Sequence, residues 1–362
     1  MKRGAATCRS PAAVCLAVWL VATVIGLCCT RSMAASALDD LRPLVITKTW
    51  TEHTAEKQGD TQTREVTAEI WTVAFQRRID ETKRLEIPAR PEPYYVDGPI
   101  VLPSGATIVA DPKAEIRLVP GTNTCIVRNA NLVGFASGPV PADSQPDTDI
   151  AIEGGIWSTT LATTPAAPQG NIRGGSGRTP YVPGMHGVIL LQNVRRVSVR
   201  NVTIRQSRPF GVHLANAHEF TVENITLDRH RRDGVHVNGP ASDGLIRGVH
   251  GDSHDDNVAL NAWEWKNYAP SYGPIERIVI EDVTGSPPGL PAANSIRLLP
   301  GVKKFDDGTL LDCPIRDITL RRITDIARFS CFNQPNLELG RDNDSSVGVG
   351  RLEHIRFEQM TF

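Results

Sequence analysis

Beyond its first 37 residues this 362-residue chain has few cysteines, no excess of positive charge and no long apolar run. Four of the seven cysteines lie within that first stretch, leaving Cys125, Cys313 and Cys331. Three thiols cannot build a disulfide framework, and no Cys/His spacing suits a zinc site. Cys313 and Cys331 could still bridge in an oxidising compartment, with Cys125 left odd. The formal net charge is −1; residues 1–37 carry four positive charges and no negative ones, so the remainder stands at −5. That balance excludes a nucleic-acid-binding protein. There is no linker or low-complexity segment, so residues 38–362 read as one domain, with 38–98 as an N-terminal cap region and 99–362 as coils. Helical periodicity is confined to residues 68–83, where Trp71, Phe75 and Ile79 form an apolar stripe behind Thr67 as N-cap. A helix there would cover the open end of a stack.

What the first 37 residues hold is a targeting pattern. Lys2, Arg3 and Arg9 precede an apolar run from Ala12 to Cys29, and Ala35-Ser36-Ala37 follows as a small-residue cleavage site. The expectation is a signal peptide over 1–37 and a secreted or periplasmic protein with no membrane span after cleavage. A single membrane anchor is the alternative.

The rest of the chain is repetitive. Gly187-Val188-Ile189-Leu190, Gly211-Val212-His213-Leu214, Gly234-Val235-His236-Val237 and Asn257-Val258-Ala259-Leu260 begin 24, 23 and 23 residues apart. A fixed period in this range signals a solenoid. A second alternating pattern begins at Val197, Phe220, Ile278, Ile318 and Ile355, and reaches a bend at Asn201, Asn224, Asp282, Arg322 and Gln359. Short strands without intervening helices predict an all-β, single-stranded, right-handed parallel β-helix. The Leu and Asn spacing of leucine-rich repeats is absent.

The repeats also predict facing. Val188, Val212, Val235, Val258 and Ile296 form one inward column; Leu190, Leu214, Val237, Leu260 and Leu298 form another. Between them Ile189, His213, His236, Ala259 and Arg297 face outward, beside Asn238 and Asn261. Asp233 precedes the third repeat, and Asp255 and Asp256 precede the fourth. Adjacent coils lie about 4.8 Å apart, so these acids become neighbours in space. Strict alternation turns Asp233 and Asp256 inward, and only a bend before each strand brings them to the surface. Buried without partners, such charges would be prohibitively costly. Crowded carboxylates split their pKa values, which suits acid/base cleavage of a glycosidic bond. A water held between acid and base requires a separation of about 6.5–9.5 Å and gives inversion. The same trio could instead bind Ca²⁺. A basic strip (Arg208, Arg229, His230, Arg231, Arg232) reads either as a groove lip or as a solvated turn.

At these residues the chain resembles the family 28 glycoside hydrolases, the polygalacturonase-like β-helices. Arg232-Asp233-Gly234-Val235 is similar to their Asn-Thr-Asp-Gly motif, His254-Asp255-Asp256-Asn257 to their Gly-Asp-Asp motif, and Ser295-Ile296-Arg297-Leu298 to the start of their Arg-Ile-Lys motif. The resemblance implies an inverting hydrolase of a polysaccharide or oligosaccharide, without metal or cofactor. Asp255 would be its general acid, Asp233 and Asp256 would hold the water, and Arg297 would contact the sugar. His213, His236, His254 and Asn261 are further candidate substrate contacts. The family's Gly-His-Gly motif is missing and Leu299 stands in place of its lysine, so the resemblance does not extend to a pectin backbone. An α-galactosidase of family 110, a polysaccharide lyase and a non-catalytic carbohydrate-binding β-helix remain as alternatives.

Overall fold

The computed structural model describes residues 38–53, 62–132, 139–164, 187–264, 269–285, 295–305, 307–331 and 350–361. The expected signal peptide (1–37) lies outside them, as do residues 165–186 and 265–268. The chain divides into two units, 1–42 and 43–362. The second holds all the described strands, and it is a parallel β-helix.

Its coils are set by the strands Gly187–Arg205, Phe210–His230 and Val235–Ser253, which pair in parallel, each with the next. Ile189, Val212, Val235, Val258 and Ile296 share one column, and Leu191, Leu214, Val237, Leu260 and Leu298 share the other. All ten are buried, as inward-facing positions of a closed coil must be. The first repeat corrects the expected register: Ile189, not Val188, pairs with Val212, and Leu190, not Ile189, pairs with His213. A one-residue slip exchanges the faces of a strand. Here the ladder aligns Gly187 with Phe210, not with Gly211. Later coils are longer. The step from Arg247 to Glu281 takes 34 residues and that from Glu281 to Arg321 takes 40. The last of these accommodates an antiparallel hairpin, Gly301–Lys304 with Leu310–Cys313, that the repeats do not announce.

Each coil turns at two left-handed residues five positions apart. Asn201, Asn224, Asp282, Arg322 and Gln359 have φ of 54–56° at the expected bends. Arg196, Glu219, Asp243, Arg277, Asp317 and His354 have φ of 53–57° at a second set. This conformation costs about 1–2 kcal/mol for a residue with a Cβ. Contacts between coils help to hold it: Arg196 to Asp149 at 2.7 Å, Arg277 to Asp243 at 2.7 Å, and Asn224 to Asn201 at 2.9 Å.

Between the two bends runs a column of alternating charge. Glu153, Arg200, Glu223, Arg247, Glu281, Arg321 and Glu358 occupy matched positions on seven successive coils. Arg247 reaches Glu223 at 3.2 Å and also meets Glu281, which Arg321 contacts from the other side at 2.5 Å. Opposite charges on neighbouring strands support the register, and like charges would oppose it.

The helix occupies Thr72–Thr82, later than the sequence pattern places it. Residues 68–70 finish the strand Thr63–Ile70, which pairs antiparallel with Ile46–His53, so Trp71 and not Thr67 is the N-cap. The stripe of Trp71, Phe75 and Ile79 is buried as expected, the first two against Tyr94. Gln76 on the helix donates to the Val101 carbonyl at 3.1 Å and accepts from its N–H at 2.7 Å. Ile100 and Leu102, either side of Val101, direct their backbone groups to the next coil. Val101 points its own the other way, and one amide side chain satisfies both. Cys125, Cys313 and Cys331 are all free, so the Cys313–Cys331 bridge is not formed.

Candidate active site

Asp233 lies in the bend before the strand Val235–Ser253, and Asp256 begins the strand Asp256–Asn261. Ladder hydrogen bonds run through the bend: Gly211 N–H to the Asp233 carbonyl at 2.9 Å, Val212 N–H to that of Gly234 at 2.8 Å, and Gly234 N–H to that of Asp256 at 2.8 Å. Gly234 is required by space, because a Cβ there would stand 2.5 Å from a Leu227 methyl and 2.8 Å from the Asn257 carbonyl oxygen. On the next coil Asp256 pairs with Ser295 while Val258 pairs with Ile296, so Asn257 is an extra residue in the ladder. Such a bulge re-aims the side chain before it. One oxygen from each of Asp233, Asp255 and Asp256 lies within 4.8 Å of the others.

The three differ in burial. Asp233 and Asp256 are 5% and 1% exposed, whereas the Asp255 side chain is 27% exposed. Their partners differ too. Asp233 Oδ2 lies 2.6 Å from His236 Nδ1, and its Oδ1 accepts from the Asp256 N–H at 3.4 Å. Asp256 accepts from Arg297 Nε at 2.7 Å and from the Ser295 hydroxyl. Asp255 Oδ2 accepts from Arg232 Nη1 at 3.2 Å.

These surroundings pull the acids apart. Burial pushes Asp233 up, but the His236 bond and charge, with Arg232 and Arg297, hold it at about 2. Burial raises Asp255, and the negative charges of Asp233 and Asp256 add to it, carrying it to about 7 against the pull of Arg232 and Arg297. Burial and Asp233 also raise Asp256. Protons on such a trio belong to the group as a whole. The surroundings favour a proton on Asp255 and a negative charge on Asp233.

Several candidate substrate contacts sit elsewhere than expected. His213, His236, Asn238 and Asn261 occupy outward strand positions or flank them, yet all are buried. His213 Nε2 meets Asn238 Oδ1 at 2.7 Å, Asn261 donates to Glu264 at 2.7 Å, and His236 lies between Asp233 and Glu264. Most of their polar atoms meet one another, while Asn261 Oδ1 and His236 Nε2 are buried without a hydrogen bond, and none is exposed toward a sugar. His254 stays at the surface, its ring 3.5 Å from both Arg231 and Asp252. The basic strip divides likewise. Arg229 is exposed, His230 is buried against the Asp233 carbonyl at 2.9 Å, and Arg232 joins the carboxylates. Glu264, Ser295 and Phe210 were not legible as site residues. Ser295 opens the strand Ser295–Leu299 and Glu264 lies past the end of Asp256–Asn261, both outside the 23-residue repeat.

Among the described residues this trio is the one acidic cluster close enough to share a cation. Five of its six oxygens already meet a hydrogen-bond donor, two of them guanidiniums. A hard ion seeks several free oxygens. These residues fit it poorly as they stand.

No protein-family model matches the chain, and no curated protein matches it in sequence. Solved structures do. The Geobacillus virus E2 protein ORF18 is 12% identical with a TM-score of 0.42 over 70% of this chain and 48% of its own. The Streptococcus pneumoniae surface protein and adhesin PfbA is 10% identical with a TM-score of 0.36 over 80% and 96%. The A-module of the Azotobacter vinelandii mannuronan C-5 epimerase AlgE4 is 12% identical with a TM-score of 0.22 over 80% and 91%. The chain thus spans about half of the viral protein's length. Likeness of this degree carries no information on activity. Among the described residues no helix is long and apolar enough to cross a membrane.

Proposed function

We propose that the protein is an extracellular glycoside hydrolase acting on a polysaccharide or oligosaccharide, with Asp255 as general acid. One observation carries the reading: three carboxylates converge within 4.8 Å, and their surroundings leave one holding a proton near neutral pH while its neighbour stays ionised. A glycosidic bond needs that division of labour. Asp255 is the most exposed of the three and the one with an oxygen, Oδ1, that no described residue occupies, so it can donate to a leaving oxygen. Asp233 and Asp256 are too buried to attack a sugar carbon directly and serve to orient a water. Arg297 acts through Asp256 rather than through the sugar.

The spacing supports a second stereochemical outcome. A water placed between opposed acid and base takes about 6.5–9.5 Å, and retaining enzymes sit nearer 5–5.5 Å. With one oxygen of each carboxylate within 4.8 Å of the others the trio is compact, so under the inverting reading the water rests beside it and not between its members. Proton NMR of the first-formed anomer separates the two.

The test of the reading is a glycan panel assayed for new reducing ends and for ultraviolet absorbance. Hydrolysis gives the first without the second, and β-elimination gives both. Retention of glycan with no product from any substrate identifies a binding protein. Asp255→Asn must lower any release that the wild type shows by at least about 10²-fold.

A further inference from the structure

His236 is enclosed on every side. Its ring lies face to face with Phe210, centroids 3.8 Å apart and planes at 11°, and meets His213 edge-on at 5.1 Å. It is 1% exposed. At one end Nδ1 is hydrogen-bonded to Asp233 Oδ2 at 2.6 Å; at the other the buried Nε2 lies 3.0 Å from Glu264 Oε1, at ion-pair distance but not aligned as a hydrogen bond. A neutral imidazole carries one N–H and one lone pair. Between two ionised carboxylates that lone pair would face an anion at close range. Only the imidazolium turns an N–H, and not a lone pair, toward each carboxylate.

We propose that His236 is a positioning residue, held as an imidazolium between Asp233 and Glu264, which keeps Asp233 anionic and so confines the site's exchangeable proton to Asp255. The inference rests on the hydrolase reading for its catalytic consequence, but not for the charge state. Counting charges supports it. Asp233, Asp256 and Glu264 are balanced by His236, Arg232 and Arg297, and this buried group is neutral when Asp255 holds its proton. The other groups facing His236 do not upset the count. His213 packs on its edge, and His230 behind the Asp233 carbonyl is driven down to about 4 by burial and is neutral. Burial opposes charge on His236 itself, but its contacts with Asp233 and Glu264 outweigh that and bring it to about 9. Glu264, raised by burial, is brought down to about 2 by His236 and Asn261.

Long-range imidazole ¹⁵N–¹H spectra of the full chain, labelled at histidine, read the charge directly, with the His236 signal assigned by its loss in His236→Gln. The expected result is an imidazolium through pH 8, with its midpoint lowered by about one pH unit or more in Glu264→Gln. The conservative Glu264→Gln keeps a partner at Nε2, so the measurement does not depend on His236→Gln being well folded. In turnover, His236→Gln removes the cation beside Asp233, so the acid limb of kcat/KM moves to higher pH while KM changes less than about twofold. A merely structural role would lower the yield of folded protein and leave that limb in place. A neutral wild-type His236 at pH 7 overturns the inference and leaves the hydrolase reading standing. An imidazolium in a chain that releases no sugar upholds the charge state and sinks the hydrolase reading.

Discussion

Nη1 of Arg232 lies 3.2 Å from Oδ2 of Asp255, so the most exposed carboxylate of the trio is also the one touched by a partly exposed guanidinium. The contact favours the ionised carboxylate and therefore opposes the burial and neighbouring charges that protonate it. In Arg232→Gln that opposition is gone. The alkaline limb of kcat/KM, which reports loss of the acid's proton, should move to higher pH than in the wild type. A limb that stays put or moves down would remove Asp255 as the acid.

Asp255→Asn should lower kcat by about 10²–10⁴-fold, the range associated with a single general acid. It should also stabilise the fold above neutral pH. The folded pKa of Asp255 is raised to about 7 from 3.8, so its stabilising contribution is full below pH 3.8 and is lost as pH rises through 7. Asparagine carries no charge at any of these values. The Tm advantage of the variant over the wild type should therefore be larger at pH 8 than at pH 5, which thermal unfolding at the two values measures.

Arg297→Ala should act on stability and kcat more than on KM. Asp256 would keep the Ser295 hydroxyl and lose its cation while remaining buried. Breaking a wholly buried pair costs about 3–5 kcal/mol, and with Arg297 about a fifth exposed a loss of about 2 kcal/mol is expected. An unpaired Asp256 takes up a proton more readily, so the deficit should shrink at acid pH. Urea unfolding at pH 7 and pH 4 tests this. An unchanged stability with a raised KM would restore Arg297 as a sugar contact.

Gly244 tests the interior. It pairs with Phe220, and a Cβ added to it would stand 2.3 Å from the tip of the phenyl ring. Gly244→Val should therefore destabilise by about 1–3 kcal/mol or more. Phe220→Val in the same chain should recover part of that loss, although alone it would leave a cavity. Additive losses in the double variant would show that the two residues do not share one volume.

How much of this was legible in the sequence depends on what each residue must do. The 23-residue spacing of Val212, Val235 and Val258 exposed the coil, because every turn must bury the same columns. The bend at Asn201, Asn224 and Asp282 was legible because Asn and Asp tolerate left-handed backbone. Its companion at Arg196, Glu219 and Arg277 was not, since those residues ordinarily avoid it and are held there by the fold around them. Gly187 and Gly211 invited an alignment one residue off, whereas the ladder sets Gly187 against Phe210. Asp233, Asp255 and Asp256 were legible as neighbours because the period brings them together. The inward count for Asp256 failed through a bulge at Asn257 that alternation cannot foresee. Glu264 escaped notice because it meets His236 from a segment with no counterpart on other coils.

The column from Glu153 to Glu358 constrains how such a chain can lengthen. Copying any one turn would seat Arg beside Arg or Glu beside Glu at the splice, whereas copying two consecutive turns preserves the order of signs throughout. A lineage that grows this solenoid by duplication while keeping that stripe must add turns by twos.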